Sequence, residues 1–236
     1  MSSTRLPGKI LMPIGGQPLL SRVIDRVRAC PLVDQVIVAT TLSVTDAPVV
    51  DFCERENIVI YRGDVDDVLG RFIEAAAAFD CETIVRVCSD NPFLDVSLLT
   101  ALIQSTRPED DYCSYMTRAG EPLITKPLGL CAEIVTRAAL ERIKPICKDT
   151  KYFEFVTMFI YRHPEHFGIN WLPLPEYLDP ELRFTIDYPE DIAVCERLIA
   201  GGGERGAEAL MDVVRSDPEL AAAIRGIAAR HPKVYV

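Results

Sequence analysis

The sequence contains no apolar run approaching the roughly 20 residues that a membrane-spanning helix needs. Its first residues, Met-Ser-Ser-Thr-Arg-Leu-Pro-Gly-Lys9, lack the apolar stretch of a secretory signal, so the expected location is the cytoplasm. There is no C-x-x-C pair. The eight cysteines, at 30, 53, 81, 88, 113, 131, 147 and 195, follow no paired Cys/His spacing, which suits reduced, buried thiols rather than a zinc site or a disulfide framework. A basic excess is also missing: 25 Lys and Arg stand against 35 Asp and Glu, for a net charge of −10. Neither nucleic acid nor an anionic membrane is therefore an expected partner, because both need a basic face. No internal repeat is visible.

What is present is the composition of an ordinary globular protein, with 49% apolar and 25% charged residues. A chain of 236 residues suffices for one well-buried α/β domain. Positive charge is concentrated at the start. Arg5, Lys9, Arg22, Arg26 and Arg28 share the first 28 residues with a single acid, Asp25, so any bound anion is expected there.

The apolar spacing predicts a helix over Pro18 to Ala29 and a strand buried on both faces over Gln35 to Thr40. A helix from Asp46 to Glu56, a minor strand from Ile58 to Tyr61 and an alanine-rich helix from Asp66 to Asp80 come after it. Next are a strand over Thr83 to Cys88 and a helix over Ser97 to Ser105. This rhythm predicts a Rossmann-like α/β fold, a mostly parallel sheet with helices on both faces. Beyond residue 110 strands are expected at Tyr112 to Thr117, Leu130 to Val135, Phe167 to Leu172 and Arg183 to Ile186. Short and long helices are expected at Thr136 to Ile143 and Pro189 to Ala200. The aromatics between Tyr152 and Tyr161 read as core or dimer interface. Gly201-Gly-Gly203 marks a linker, dividing an α/β domain over 1–200 from a helical appendage over 201–236.

Three places carry candidate chemistry. Ser2-Ser-Thr-Arg-Leu-Pro-Gly-Lys9 offers hydroxyls, backbone N–H groups, an arginine and a lysine ahead of a helix, which is what a triphosphate requires. An ordinary flexible start with turn residues has the same composition. Asp90 follows the strand at Thr83 to Cys88, at the carboxyl end where ligands sit in open α/β sheets, or else caps a turn before Pro92. Asp187 precedes Pro189 and reads either as a second site carboxylate or as the N-cap of the following helix. As a pair, two such carboxylates can hold one Mg²⁺ together with substrate phosphates.

The wording of residues 2–9 resembles the S-T-R-L-P-G-K signature of the sugar cytidylyltransferases, a group that includes the CMP-3-deoxy-manno-octulosonate and CMP-N-acetylneuraminate synthetases and the spore-coat polysaccharide biosynthesis proteins. The likeness continues in order over roughly residues 2 to 230, closest to the spore-coat branch. Val38-Ala-Thr-Thr41 resembles the end of that branch's second strand. Tyr61-Arg-Gly-Asp-Val-Asp-Asp-Val-Leu-Gly-Arg71 resembles R-G-x-x-x-D-V-L-x-R, Ser89-Asp-Asn-Pro-Phe-Leu-Asp95 resembles G-D-C-P-L-I-D, and Thr185-Ile-Asp-Tyr-Pro-Glu-Asp191 resembles T-V-D-T-P-E-D.

The resemblance implies an enzyme that transfers CMP from CTP to the hydroxyl of an acidic or otherwise polar sugar, releasing pyrophosphate, as a homodimer. It implies nucleotide contacts from Ser2, Ser3, Thr4, Arg5, Lys9, Asp67, Arg71 and Asp90, with Arg5 and Lys9 offsetting charge on the departing pyrophosphate. Asp90 and Asp187 would hold Mg²⁺. Gly129-Leu-Cys-Ala-Glu133 and Lys151 to Thr157 match acceptor-side segments, which nominates Glu133 and Glu154 as sugar contacts. Here Cys131 stands for an acidic residue and Phe155 for a histidine, so the usual acceptor is not implied. Family members also carry a buried parallel strand just before the loop, whereas this sequence opens on the loop. That sets two expectations: a start upstream of Met1, or a relative that has become a noncatalytic nucleotide-binding or assembly module. A third alternative keeps the fold and changes the nucleotide.

Overall fold

A computed structural model describes residues 5–232. Ser2, Ser3 and Thr4, expected in the phosphate loop, lie outside the described residues. The loop from Arg5 turns at Gly8, whose φ of 73° belongs to the left-handed region that favours glycine, into a single 3-10 turn over Lys9–Leu11. A tight hairpin, β1 (Pro13–Ile14) and β2 (Gln17–Pro18), delivers the chain to α1 (Leu19–Arg28). Then come β3 (Ile37–Thr41), α2 (Ala47–Arg55), β4 (Val59–Gly63), α3 (Val68–Ala78), β5 (Thr83–Arg86) and α4 (Val96–Ser105). The second half contains β6 (Tyr112–Met116), β7 (Glu133–Thr136), α5 (Arg137–Ile146), α6 (Lys151–Glu154), α7 (Met158–Arg162) and β8 (Ile169–Pro173). Three helices close the chain: α8 (Pro189–Ala200), α9 (Ala207–Ser216) and α10 (Pro218–Arg230).

The strands do not make one sheet. β3 and β4 pair in parallel by themselves, while a separate four-stranded sheet has the order β5-β7-β6-β8. Within it β6 and β8 are parallel, but β7 is antiparallel to both β5 and β6. The expected mostly parallel sheet is thus mixed, because no crossover helix separates β6 from β7 and the chain can only return in the opposite sense. Among the described residues, one edge of β3 and one edge of β5 have no strand partner. Consistent with this, Ile37, Val38 and Ala39 are half-buried rather than enclosed on both faces, as are Ile84 and Val85.

Packing bridges what the sheet leaves divided. Leu19, Val23 and Val27 of α1 enter the main core with Leu99, Leu128, Leu130 and Phe184, while Leu20 and Ile24 on the same helix enter a smaller cluster with Val49, Phe52 and Ile58. Leu69 of α3 lies in a third cluster with Tyr112, Val135 and Leu140. Leu210, Met211, Val214, Leu220, Ile224 and Ile227 of α9 and α10 belong to the main core. Asp95 reinforces that contact by accepting the backbone N–H of Ala207 at 2.6 Å. The segment read from sequence as an appendage therefore helps to enclose the core.

Arg183 to Ile186 is not a strand. The segment is extended, but its partners are loops: Phe184 donates to the Pro127 carbonyl at 3.2 Å and Ile186 to that of Asp90 at 3.0 Å. Gly129 allows this close approach. Its φ is 68°, and a Cβ there would stand 2.9 Å from Thr185 Cγ2.

Candidate active site

The Ile186 to Asp90 hydrogen bond fixes two loops side by side, so the two aspartates expected to act together do lie together. Lys9 joins them. Its ammonium donates to Asp90 Oδ2 at 3.2 Å, to Asp187 Oδ1 at 2.9 Å and to the Ile186 carbonyl at 2.7 Å. Arg5 reaches the same Asp187 oxygen from Nη2 at 3.0 Å. Burial pulls the Lys9 ammonium toward neutrality, but Asp90 and Asp187 outweigh it and hold the proton more tightly than in water. Burial likewise pushes the Asp187 carboxyl up, and Lys9, Arg5 and Arg183 together bring it below the ordinary carboxylate range.

Sequence reading missed the support beneath Asp187. Arg183, 4% exposed, donates from Nη2 to Asp187 Oδ2 at 2.9 Å and forks onto both oxygens of Asp191 at 3.0 and 3.1 Å. Asp191 also accepts the backbone N–H groups of Asp187 and Tyr188, each at 2.8 Å. Tyr188, not Asp187, is the N-cap of α8, with Pro189 at its first position. Spacing alone does not choose between them, since Glu190 stands three residues after Asp187 just as Asp191 does after Tyr188. With Oδ2 committed to Arg183, Asp187 presents Oδ1 to the loop.

The cationic island separates on folding. Arg22 is 7% exposed and donates to the Ile14 and Gly15 carbonyls and to Glu204, and Arg26 also reaches the Glu204 carbonyl. Both fasten α1 to its surroundings, so among those five cations Arg5 and Lys9 are the two held at the aspartates.

Asp67 and Arg71 are not brought to that cluster by any contact of the described residues. Asp67 is the N-cap of α3, accepting from Gly70 at 2.7 Å and pairing with Lys144. Arg71 donates from Nη1 to the Asp64 carbonyl at 2.7 Å, and its buried Nε has no hydrogen-bond partner among the described residues.

A shallow recess opens beside the Asp90 turn, lined by Cys88 and Asn91 on either side of it and by Ser114, Lys126, Cys131 and Glu133. Glu133 forms its wall at 2% exposure with its oxygens engaged by Arg86, Tyr112 and Thr157, the last at 2.9 Å. Glu154 is exposed on α6 and does not line the recess. Lys126, unremarked in the sequence, sits between Glu121 and Glu181 at 2.8 Å from each.

The family model described as Cytidylyltransferase matches residues 1–216. The chain is 33% identical over 230 residues to the spore coat polysaccharide biosynthesis protein SpsF of Bacillus subtilis, covering 94% of this chain and 93% of that protein. Against the 3-deoxy-manno-octulosonate cytidylyltransferase of Synechococcus elongatus it is 35% identical over 124 residues, 51% of this chain and 48% of that one. Among solved structures, a cytidylyltransferase from Leptospira borgpetersenii superposes with a TM-score of 0.84 at 24% identity, covering 100% of this chain and 95% of that one. A CMP:2-keto-3-deoxy-manno-octonic acid synthetase complexed with CTP gives 0.63 at 16% identity, over 84% and 94% of the two chains, and shares the fold. Matched by that family model over most of its length and by a relative 33% identical along nearly the whole of both chains, this chain belongs to the cytidylyltransferase family and is a nucleotidyltransferase.

Proposed function

We propose that the protein transfers CMP from CTP to a hydroxyl of a polysaccharide-precursor sugar. The observation that carries this reading is the meeting of Asp90, Asp187, Lys9 and Arg5 beside the recess. In the reaction, the acceptor oxygen bonds to the α-phosphorus of CTP, the bond from the α-phosphorus to the oxygen it shares with the β-phosphorus breaks, and pyrophosphate leaves with that oxygen as the hydroxyl proton passes to solvent. Charge builds on the departing oxygens, so catalysis falls to preorganised cations and positioning.

The donor set fits Mg²⁺. Two carboxylate oxygens already converge on one cationic point, the Lys9 ammonium, and two hard oxygen ligands with substrate phosphates completing the shell are what this ion takes. When bound, Mg²⁺ would supply neutralisation of phosphate charge. Asp90 and Asp187 Oδ1 would hold it, and Lys9 and Arg5 would then turn to the triphosphate. The recess is the proposed acceptor pocket, with Asn91, Ser114 and Lys126 as its polar contacts. The buried Arg71 Nε is a second, separate point where a nucleotide acceptor atom would be satisfied. Family resemblance supports a homodimer, which sedimentation velocity would test.

Calorimetry with CTP, GTP, UTP and ATP in Mg²⁺ tests the reading directly. CTP is expected to bind selectively and to lose affinity in Asp90→Ala, with pyrophosphate released once a sugar acceptor is supplied. Binding of no nucleotide, or preference for another base, would overturn it.

A further inference from the structure

We infer that His231, at the end of the C-terminal helix, is a positioning residue that acts through Tyr188 to hold Arg5 over the site. The inference rests on the reading that Arg5 serves the triphosphate.

Tyr188 immediately follows Asp187. The His231 ring stacks on it with centroids 3.6 Å apart and planes at 15°. His231 Nε2 lies 3.0 Å from Glu190 Oε1, so the imidazole is held at its edge as well as on its face. The Arg5 guanidinium lies 5.4 Å from the centre of the same tyrosine ring, within cation–π range, and that of Arg183 lies 5.5 Å from it.

Arg183 is fixed by its carboxylates and needs no platform. Arg5 does: its side chain is 54% exposed, and two groups among the described residues hold it, Asp187 and the Tyr188 ring. An exposed arginine has many rotamers, and ordering it on one carboxylate alone is entropically expensive. A ring kept in one orientation selects the rotamer that points at Asp187. The imidazole keeps the ring so together with the buried Arg183 guanidinium, and it is delivered by a helix whose Ile224 and Ile227 are anchored in the main core. The C-terminal helix thereby reaches the reaction site without touching substrate.

The stack and the arginine can each be watched. In wild-type protein the His231 ring protons should be shifted upfield in the NMR spectrum by the tyrosine ring, and the shift should vanish in Tyr188→Leu. Relaxation of the Arg5 side-chain Nε should report greater mobility in His231→Ala and wild-type order in His231→Phe, which keeps a stacking face. Affinity for CTP with Mg²⁺ should fall about two- to tenfold in His231→Ala, recover in His231→Phe, and show no further loss when His231→Ala is added to Arg5→Ala. Unchanged Arg5 mobility in folded His231→Ala, or an equal loss in the Arg5→Ala background, would overturn the inference. The NMR measurements need no nucleotide, so a protein that binds no CTP would defeat the proposed function while leaving this relay to be judged by Arg5 mobility.

Discussion

Lys9 and Asp187 form the central contact of the site: an ammonium 2.9 Å from one carboxylate oxygen, in a position where a second carboxylate, Asp90, also arrives. The lysine acts as a stand-in cation between two groups that would otherwise repel. The effect of a substitution depends on which of the three groups it removes.

Replacing Asp187 by Asn keeps the shape and removes the charge. Turnover measured as pyrophosphate release is expected to fall by about 10² or more, the size of other losses from preorganised sites. Retention of near wild-type turnover would exclude Asp187 from the reaction.

Lys9→Met leaves Asp90 and Asp187 facing each other with less compensation. The melting temperature should drop, in line with about 3 to 5 kcal/mol for breaking a largely buried pair by removing one partner. Because a cation would then be wanted at the vacated point, millimolar Mg²⁺ should restore part of the loss in the variant and do much less for wild type. Differential scanning fluorimetry with and without Mg²⁺ measures both effects.

Glu133 separates a structural carboxylate from a substrate contact. Its oxygens are engaged by Arg86, Tyr112 and Thr157, and Glu133→Gln would leave the arginine with a neutral partner. Denaturant unfolding should show a loss of about 3 to 5 kcal/mol. The affinity for CTP should stay within about twofold, because no contact connects Glu133 to Lys9 or Arg5. A stable variant with weakened acceptor binding would instead make Glu133 a direct sugar ligand.

Acid should also act at the end of β3. Burial raises the Asp46 carboxyl, while hydrogen bonds from Thr41 and Thr40 act against burial and contribute to holding its pKa below the ordinary value. A depressed folded-state value means stability that is present above the unfolded pKa of about 4 and is lost as pH falls through the folded one. Unfolding free energy measured from pH 5 downward should therefore decline, and Asp46→Asn should remove part of that slope.

The order of helices and strands was legible because apolar spacing and cap residues act locally: Pro18 before α1, Asp67 before α3, Asp95 before α4. The pairing of Asp90 with Asp187 was legible only through resemblance, since 97 positions of chain separate them and no local rule brings them together. Arg183 escaped notice because it lies in a segment that reads as a strand, and a buried fork onto carboxylates beyond that segment leaves no periodic trace. Arg22 and Arg26 misled for the converse reason. Clustering in sequence says nothing about direction, and both point at Glu204.

The division between the β3–β4 pair and the four-stranded sheet bears on how the molecule comes apart. No ladder of hydrogen bonds crosses that line among the described residues, and the joining is done by the side chains of α1 and α3. Hydrogen exchange should accordingly resolve two cooperative units, with β3, β4 and α2 opening at a lower free energy than β6, β7 and β8. Lys9 lies just ahead of α1, the helix that spans both units, while its two carboxylates belong to the larger one. A ligand gripping Lys9, Asp90 and Asp187 together would slow the opening of the smaller unit, although it touches none of that unit's strands.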